Sequence, residues 1–244
     1  MISQYFRPKT IDEALQLLIG TKNKTMVLAS QLLPDTQLEE TVEAVIDLQA
    51  VGLDKVEAHA GGLKIGAMTR LQTMVDDGII CDFTKEATHA ESSSTFRNMQ
   101  TIGAIVMNSD PESRLVATLL VLEAHLTILT VTGVSDVSLS EFLAEKESLL
   151  NGGILTSITV ANDGKTASAH VSRTPADKPI VAAVGRQDAS GRTLLALAGV
   201  ARTPVLVEPR EIDALEPPGD FRGSSAYRKQ MAQVLSQRVL SEIG

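Results

Sequence analysis

The residues best suited to chemistry are Thr101-Ile102-Gly103-Ala104, preceded by Phe96-Arg97-Asn98 and followed by Asp110-Pro111 and an apolar run over 115–122. A glycine lets the main chain approach a ligand with no Cβ in the way, and successive amides can gather around an anion. The chemistry this segment suits is therefore phosphate binding by backbone N–H groups. Asp110-Pro111 also fits a helix start, with Asp at the cap and Pro in the first turn.

Other reactive residue types are scattered. His59, His89, His125 and His170 lie far apart with no carboxylate or cysteine pattern beside them, so surface or hydrogen-bonded roles are expected. Cys81 is the single cysteine. It excludes an internal disulfide and any four-cysteine metal or iron–sulfur site within the chain. Next to Ile79-Ile80 it reads as a small buried residue. Met68, Met74, Met99 and Met107 read as core filler. No Gly-x-Gly-x-x-Gly occurs, which removes the usual Rossmann fingerprint.

These residues must be positioned by a chain of 244 residues, long enough for one large domain or two to three small ones. Its composition is globular, with 43% hydrophobic and 21% charged residues. A net charge of -8 argues against a nucleic-acid partner, because neutralising phosphates takes clustered Lys and Arg. Aromatics are 3% and Trp is absent, so stacking platforms for bases are not expected. No apolar stretch is long enough for a membrane span, and the opening residues lack the apolar core of a signal peptide. The cytoplasm is the expected location.

Thr10-Ile11-Asp12-Glu13 predicts a capped helix with Ala14, Leu15, Leu17 and Leu18 on its apolar face, stopped by Gly20. Strands are expected over 25–29 and 44–48, making a small α/β unit. Residues 55–67 predict a hairpin turning on Gly61-Gly62. Helices follow over 70–76, with Thr69 as cap, then over 82–92 and 112–122. A strand is expected over 124–132, a short helix over 139–144 and a strand over 154–160. Three strands over 166–172, 180–184 and 193–200, a short helix over 208–215 and a closing helix capped by Ser225 complete the chain. Boundaries fall near 54 and 165.

The order of these pieces resembles the FAD-binding flavoprotein (medium) subunit of molybdenum hydroxylases, of the carbon monoxide and xanthine dehydrogenase type. The resemblance rests on seven segments: residues 6–14, Val27-Leu28-Ala29, residues 62–69, Arg97-Asn98 with Thr101-Ile102-Gly103, Ile154-Leu155 near Ser157-Ile158, Arg173 to Ala183, and residues 223–228. It implies an α+β fold. Two subdomains, 1–54 and 55–165, clasp FAD between them, and a C-terminal domain, 166–244, carries a three-stranded antiparallel sheet. It implies that Val27, Leu28, Ala29, Ser30, Gln31 and Leu32, with Thr101, Ile102, Gly103 and Ala104, run along the FAD diphosphate. Asp110 and Arg114 then fall near the ribose, and Leu155 touches the flavin ring. The implied partners are a small iron–sulfur subunit and a large molybdopterin subunit. Electrons would pass from the clusters through the flavin to an acceptor, with no metal in this chain.

The sequence departs from that pattern in its phosphate loops. Ser30-Gln31-Leu32 stands where the family has Gly-Gly, Gly103-Ala104 replaces a second Gly-Gly, and Arg114 replaces a carboxylate. Ala104 would cost about 1 kcal/mol if forced into a left-handed conformation. Each lost amide–phosphate bond would cost roughly 1.5–3 kcal/mol, although Arg114 can offset this by meeting a phosphate itself. Two functions follow as alternatives: a flavin-binding electron carrier, or a flavin-free structural subunit that keeps the fold.

Overall fold

The computed structural model describes residues 2–21, 25–29, 42–174 and 177–244. The N-terminal unit is a parallel three-stranded sheet. Strands β1 (Gln4–Phe6) and β2 (Thr25–Leu28) both pair with β3 (Ala44–Asp47), giving the order β1-β3-β2. Helix α1 (Ile11–Gly20) covers it. The Thr10 side chain accepts from the Glu13 amide, as expected, and the Glu13 carboxylate accepts from the amide of Lys9. Gly20 is the last residue of the helix, and Thr21 caps it by donating N–H and hydroxyl to the Leu17 carbonyl. Ala14 and Leu15 bury against Ile46 and Leu48, and Met68 and Ile154 of the next unit join that cluster.

The middle unit runs β4 (Val56–His59), β5 (Gly62–Gly66), α2 (Leu71–Asp76), α3 (Asp82–Glu91), α4 (Ser94–Met99), α5 (Ile102–Asn108), α6 (Arg114–Val121), β6 (His125–Thr130), β7 (Gly133–Ser138), α7 (Leu139–Leu150) and β8 (Ile154–Ala161). Its strands form one antiparallel sheet in the order β4-β5-β8-β6-β7. Gly61 takes the positive φ the hairpin requires, +78°. Strand β7 was not expected, because its two apolar side chains, Val134 and Val137, stand three apart and give no period-two alternation. Helix α7 is longer than expected and bends at Glu145, whose φ of -130° is non-helical. Thr69 does not cap α2. The N-cap residue is Arg70, without a side-chain cap bond, and the Thr69 hydroxyl is buried with no partner among the described residues.

Helix α6 is apolar after its first residue except for Thr118, and residues 115–121 are all buried. The reason is its place between the middle unit and the C-terminal sheet. That sheet is antiparallel, in the order β12-β11-β10-β9, with β9 (Lys165–Val171), β10 (Val181–Gln187), β11 (Thr193–Ala198) and a two-residue β12 (Val205–Leu206). The three expected strands are present, and β12 extends the sheet by one. Strand β10 is buried on both faces. Ala182 and Val184 join the core around α6, while Val181 and Ala183 join a second core under helix α8 (Ser225–Ile243). Ala232, Leu235, Val239 and Ile243 supply the apolar face of α8. Its cap is Ser224, one residue before the expected position, accepting from the Tyr227 amide. The segment Pro209–Ala214 is a 3₁₀ helix.

Candidate functional site: a cleft between the N-terminal and middle units

Thr101 is the hinge of the site. It ends the α4–α5 turn, is 3% exposed, and its hydroxyl donates to the Ala29 carbonyl at 2.5 Å. The two segments expected to share a diphosphate are thus in direct contact, although Ser30, Gln31 and Leu32 lie outside the described residues. Val27 and Leu28 end strand β2 just before that contact.

The segment 101–104 is not an open loop. It is the N-terminus of α5, and its amides are already engaged. Ile102 N–H donates to Thr69 O, Gly103 N–H to Ala67 O (both 2.9 Å), and Ala104 N–H to Thr101 Oγ1 at 3.2 Å. Gly103 is required for a reason the sequence does not reveal. A Cβ there would lie 2.6 Å from the Ala67 carbonyl oxygen. Ala104 lies in the helix and is not among the described residues with positive φ, so the condition for left-handed strain is not met.

Asp110 does not cap α6. Its carboxylate accepts from the Glu112 amide at 2.9 Å and from Lys178 Nζ at 2.6 Å. Ser113 is the cap, with its oxygen accepting from Val116 N–H while its hydroxyl donates to Glu91 Oε2. Arg114 is turned elsewhere, donating to Glu86 O at 3.0 Å and lying 3.4 Å from His170 Nδ1. Burial, and then the Arg114 charge, hold His170 below its ordinary value. Leu155 lies in the middle core opposite Ile128, 6% exposed. The structure therefore joins Thr101 to Ala29, and separates Asp110, Arg114 and Leu155 into three surroundings.

Two cavities flank the Gln100–Thr101 step. The larger, about 460 Å³, lies between the N-terminal and middle units and is lined by Arg7, Gln49, Asp54, Met68, Arg70 and Thr101, among others. Arg7 sits 3.7 Å from Asp47, which is 2% exposed and also accepts from the Tyr5 hydroxyl. The smaller, about 240 Å³, is walled by Phe96 and Ile105 and rimmed by polar groups that include Glu91, Gln100 and Lys178. Met68 packs in the core with Ile46 and Leu48, as expected, and both it and Met99 also line the larger cavity. Arg97, buried, holds this region together: its guanidinium donates to His89 O, Ser92 O and Gln72 Oε1, fixing the α3–α4 turn. Sequence reasoning missed Arg7, Arg70 and Lys178. Each is a lone cation in unremarkable context, and only the fold gathers them.

Comparison with known proteins agrees with this architecture. Residues 1–162 match the family model described as the FAD binding domain in molybdopterin dehydrogenase. The chain is 32% identical to the uncharacterized protein YgfM of Escherichia coli K12, over 96% of this chain and 94% of that one. It is 26% identical to the glyceraldehyde dehydrogenase medium chain of Sulfolobus acidocaldarius, over 98% and 97%. Its fold superposes on carbon monoxide dehydrogenase from Hydrogenophaga pseudoflava with a TM-score of 0.89 at 23% identity, covering 100% of this chain and 97% of that one. The chain belongs to the family of FAD-binding domains of molybdopterin dehydrogenases.

The residues present are compatible with a dinucleotide. Gln100 Oε1 and Ser92 Oγ, on two residues that line the smaller cavity, are shielded from solvent and have no partner among the described residues. Such buried groups normally bond to protein, water or ligand. The larger cavity adds two guanidinium groups, which suit a diphosphate. Among the described residues, no group of His, Cys, Asp and Glu is arranged to hold a metal ion, and no helix is long and apolar enough to cross a membrane.

Proposed function

We propose that this chain is the FAD-binding medium subunit of a molybdenum hydroxylase-type dehydrogenase. It would take electrons from iron–sulfur clusters of a small partner subunit, fed by a molybdopterin site in a large one, and deliver them to an acceptor. The observation that carries this reading is the Thr101–Ala29 bond, which brings the two diphosphate segments together at the mouth of the larger cleft. FAD supplies the redox chemistry, and the protein supplies binding, orientation and charge.

In this reading residues 1–54 and 55–165 are the two clasping subdomains, and 166–244 is the C-terminal domain. Residues 27–32 and 101–104 hold the diphosphate, with Asp110 and Arg114 toward the ribose and Leu155 toward the ring. Because the amides of 102–104 are already bonded to Thr69 O, Ala67 O and Thr101 Oγ1, the anion grip passes to side chains, and Arg7 and Arg70 are the cations placed for it.

Titrating the purified chain with FAD and following flavin fluorescence tests the proposal. Saturable quenching with a micromolar or tighter Kd is expected, and a weakening of about tenfold or more in Arg70→Gln. No saturable quenching would contradict it.

A further inference from the structure

The three strands of the N-terminal sheet run parallel, so their C-terminal ends lie along one edge. Ala29 follows β2 there, Arg7 follows β1, and Asp47 ends the central strand β3 between them. The register pairs Leu28 with Asp47 on one side and Phe6 with Ile46 on the other. That edge borders the larger cavity, which Arg7 and Gln49 help to line.

Asp47 is a buried carboxylate to which the diphosphate reading gives no task. Its side chain is 2% exposed. Oδ2 accepts from the Tyr5 hydroxyl at 2.5 Å, and Oδ1 from the Gln49 amide at 2.9 Å. Neutral donors thus fix both oxygens, and the charge is directed at Arg7, whose Nε stands 3.7 Å from Oδ2. At that distance the contact is an ion pair and not a hydrogen bond.

The Arg7 side chain is 57% exposed. Asp47 meets it at the Nε edge, so the four N–H donors of its two terminal nitrogens stay open to a ligand. A long exposed side chain normally loses rotamer freedom when it grips an anion. Here a rigid partner restricts it beforehand. The same carboxylate repels an anion, but it lies at the stem edge of the guanidinium, further from the ligand than the terminal nitrogens, and salt screens the repulsion. Positioning is therefore the larger effect.

We propose that Asp47 is a positioning residue: its fixed carboxylate presets the Arg7 guanidinium, which then forks onto an anion in the larger cavity. The inference rests on the FAD reading above, in which that anion is the diphosphate.

FAD affinity and thermal melts are compared for the unaltered chain, Asp47→Asn, Arg7→Gln and the double variant. D47N keeps the shape, can still bond Tyr5 and Gln49, and removes the charge. It is expected to weaken FAD about three- to tenfold, and R7Q by a similar factor or more. In the R7Q background D47N should have no further effect, because Asp47 acts through Arg7. Losses that multiply would overturn the inference, since a merely structural role for Asp47 would persist without Arg7. Unchanged or tighter binding in D47N would overturn it as well, by showing that repulsion outweighs positioning. If D47N does not fold, Asp47→Ser, whose hydroxyl can still accept from the Gln49 amide, supplies the same comparison. An unaltered chain that binds no FAD would overturn the FAD reading and the inference together.

Discussion

The hydroxyl of Thr101 bonds the carbonyl of Ala29 across 72 positions of sequence, while the same oxygen accepts the Ala104 amide. One side chain thus caps α5 and ties the end of β2 to the middle unit. Thr101→Val keeps the shape and removes both bonds. It should cost about 1–2 kcal/mol, the range for losing a helix cap with a second buried bond. For a chain of this size that is a fall of roughly 2–8 °C in Tm, read by calorimetry, with weaker FAD binding. An unchanged Tm would contradict the role given to Thr101.

Gly103→Ala places a Cβ 2.6 Å from the Ala67 carbonyl oxygen, where neither backbone can yield easily. A loss of about 1–3 kcal/mol is expected from overpacking, measured by urea denaturation without any ligand. If the loss appeared only in FAD affinity, the glycine would be serving the ligand instead of the α5–β5 contact.

Glu91 is 6% exposed, and burial pushes its carboxyl above the ordinary 4.5, only partly opposed by Lys178, Ser113 and the Leu115 amide. The folded protein therefore holds this proton more tightly than the unfolded chain. Its contribution to stability is greatest at low pH and is lost as pH rises from about 4.5 through the higher folded value. Glu91→Gln removes that dependence. Denaturation across pH 4–8 should show the variant gaining on the unaltered protein toward neutrality, and parallel curves would refute the assignment.

Arg228, 2% exposed at the start of α8, donates to Ile180 O, Gly199 O and Asp220 Oδ2, and pairs with Glu112. Arg222 pairs with Glu112 as well. Arg228→Met should cost about 3–5 kcal/mol, the range for removing one partner of a buried ion pair. The Arg228 bond also holds Asp220 down to about 2 from 3.8. That contribution is present above pH 3.8 and is lost as pH falls toward 2. In the variant, the NMR titration of Asp220 should move back toward 3.8.

Much of this fold was legible. Short apolar runs marked β10 and β11 of the C-terminal sheet, and Thr10 with Glu13 marked α1, because these signals are local. The role of Gly103 was not, since its constraint is the carbonyl of Ala67, placed against it only by the β5–α2 turn. Asp110-Pro111 reads as a helix cap, but Ser113 takes that position once Asp110 is drawn to Lys178. Arg114 looked like a phosphate cation, and its bond to Glu86 depends on how α3 packs on α6. The family's order of segments survives in the sequence. The charges lining the clefts come from distant positions that no local pattern marks.

The central claim is that this two-unit cleft holds one FAD. The most direct measurement is the absorbance spectrum of the protein as purified, followed by acid extraction and quantitation of released flavin, with FAD added during purification if required. The account predicts oxidised-flavin bands and close to one FAD per chain. A colourless protein that releases no flavin even after incubation with excess FAD would contradict it.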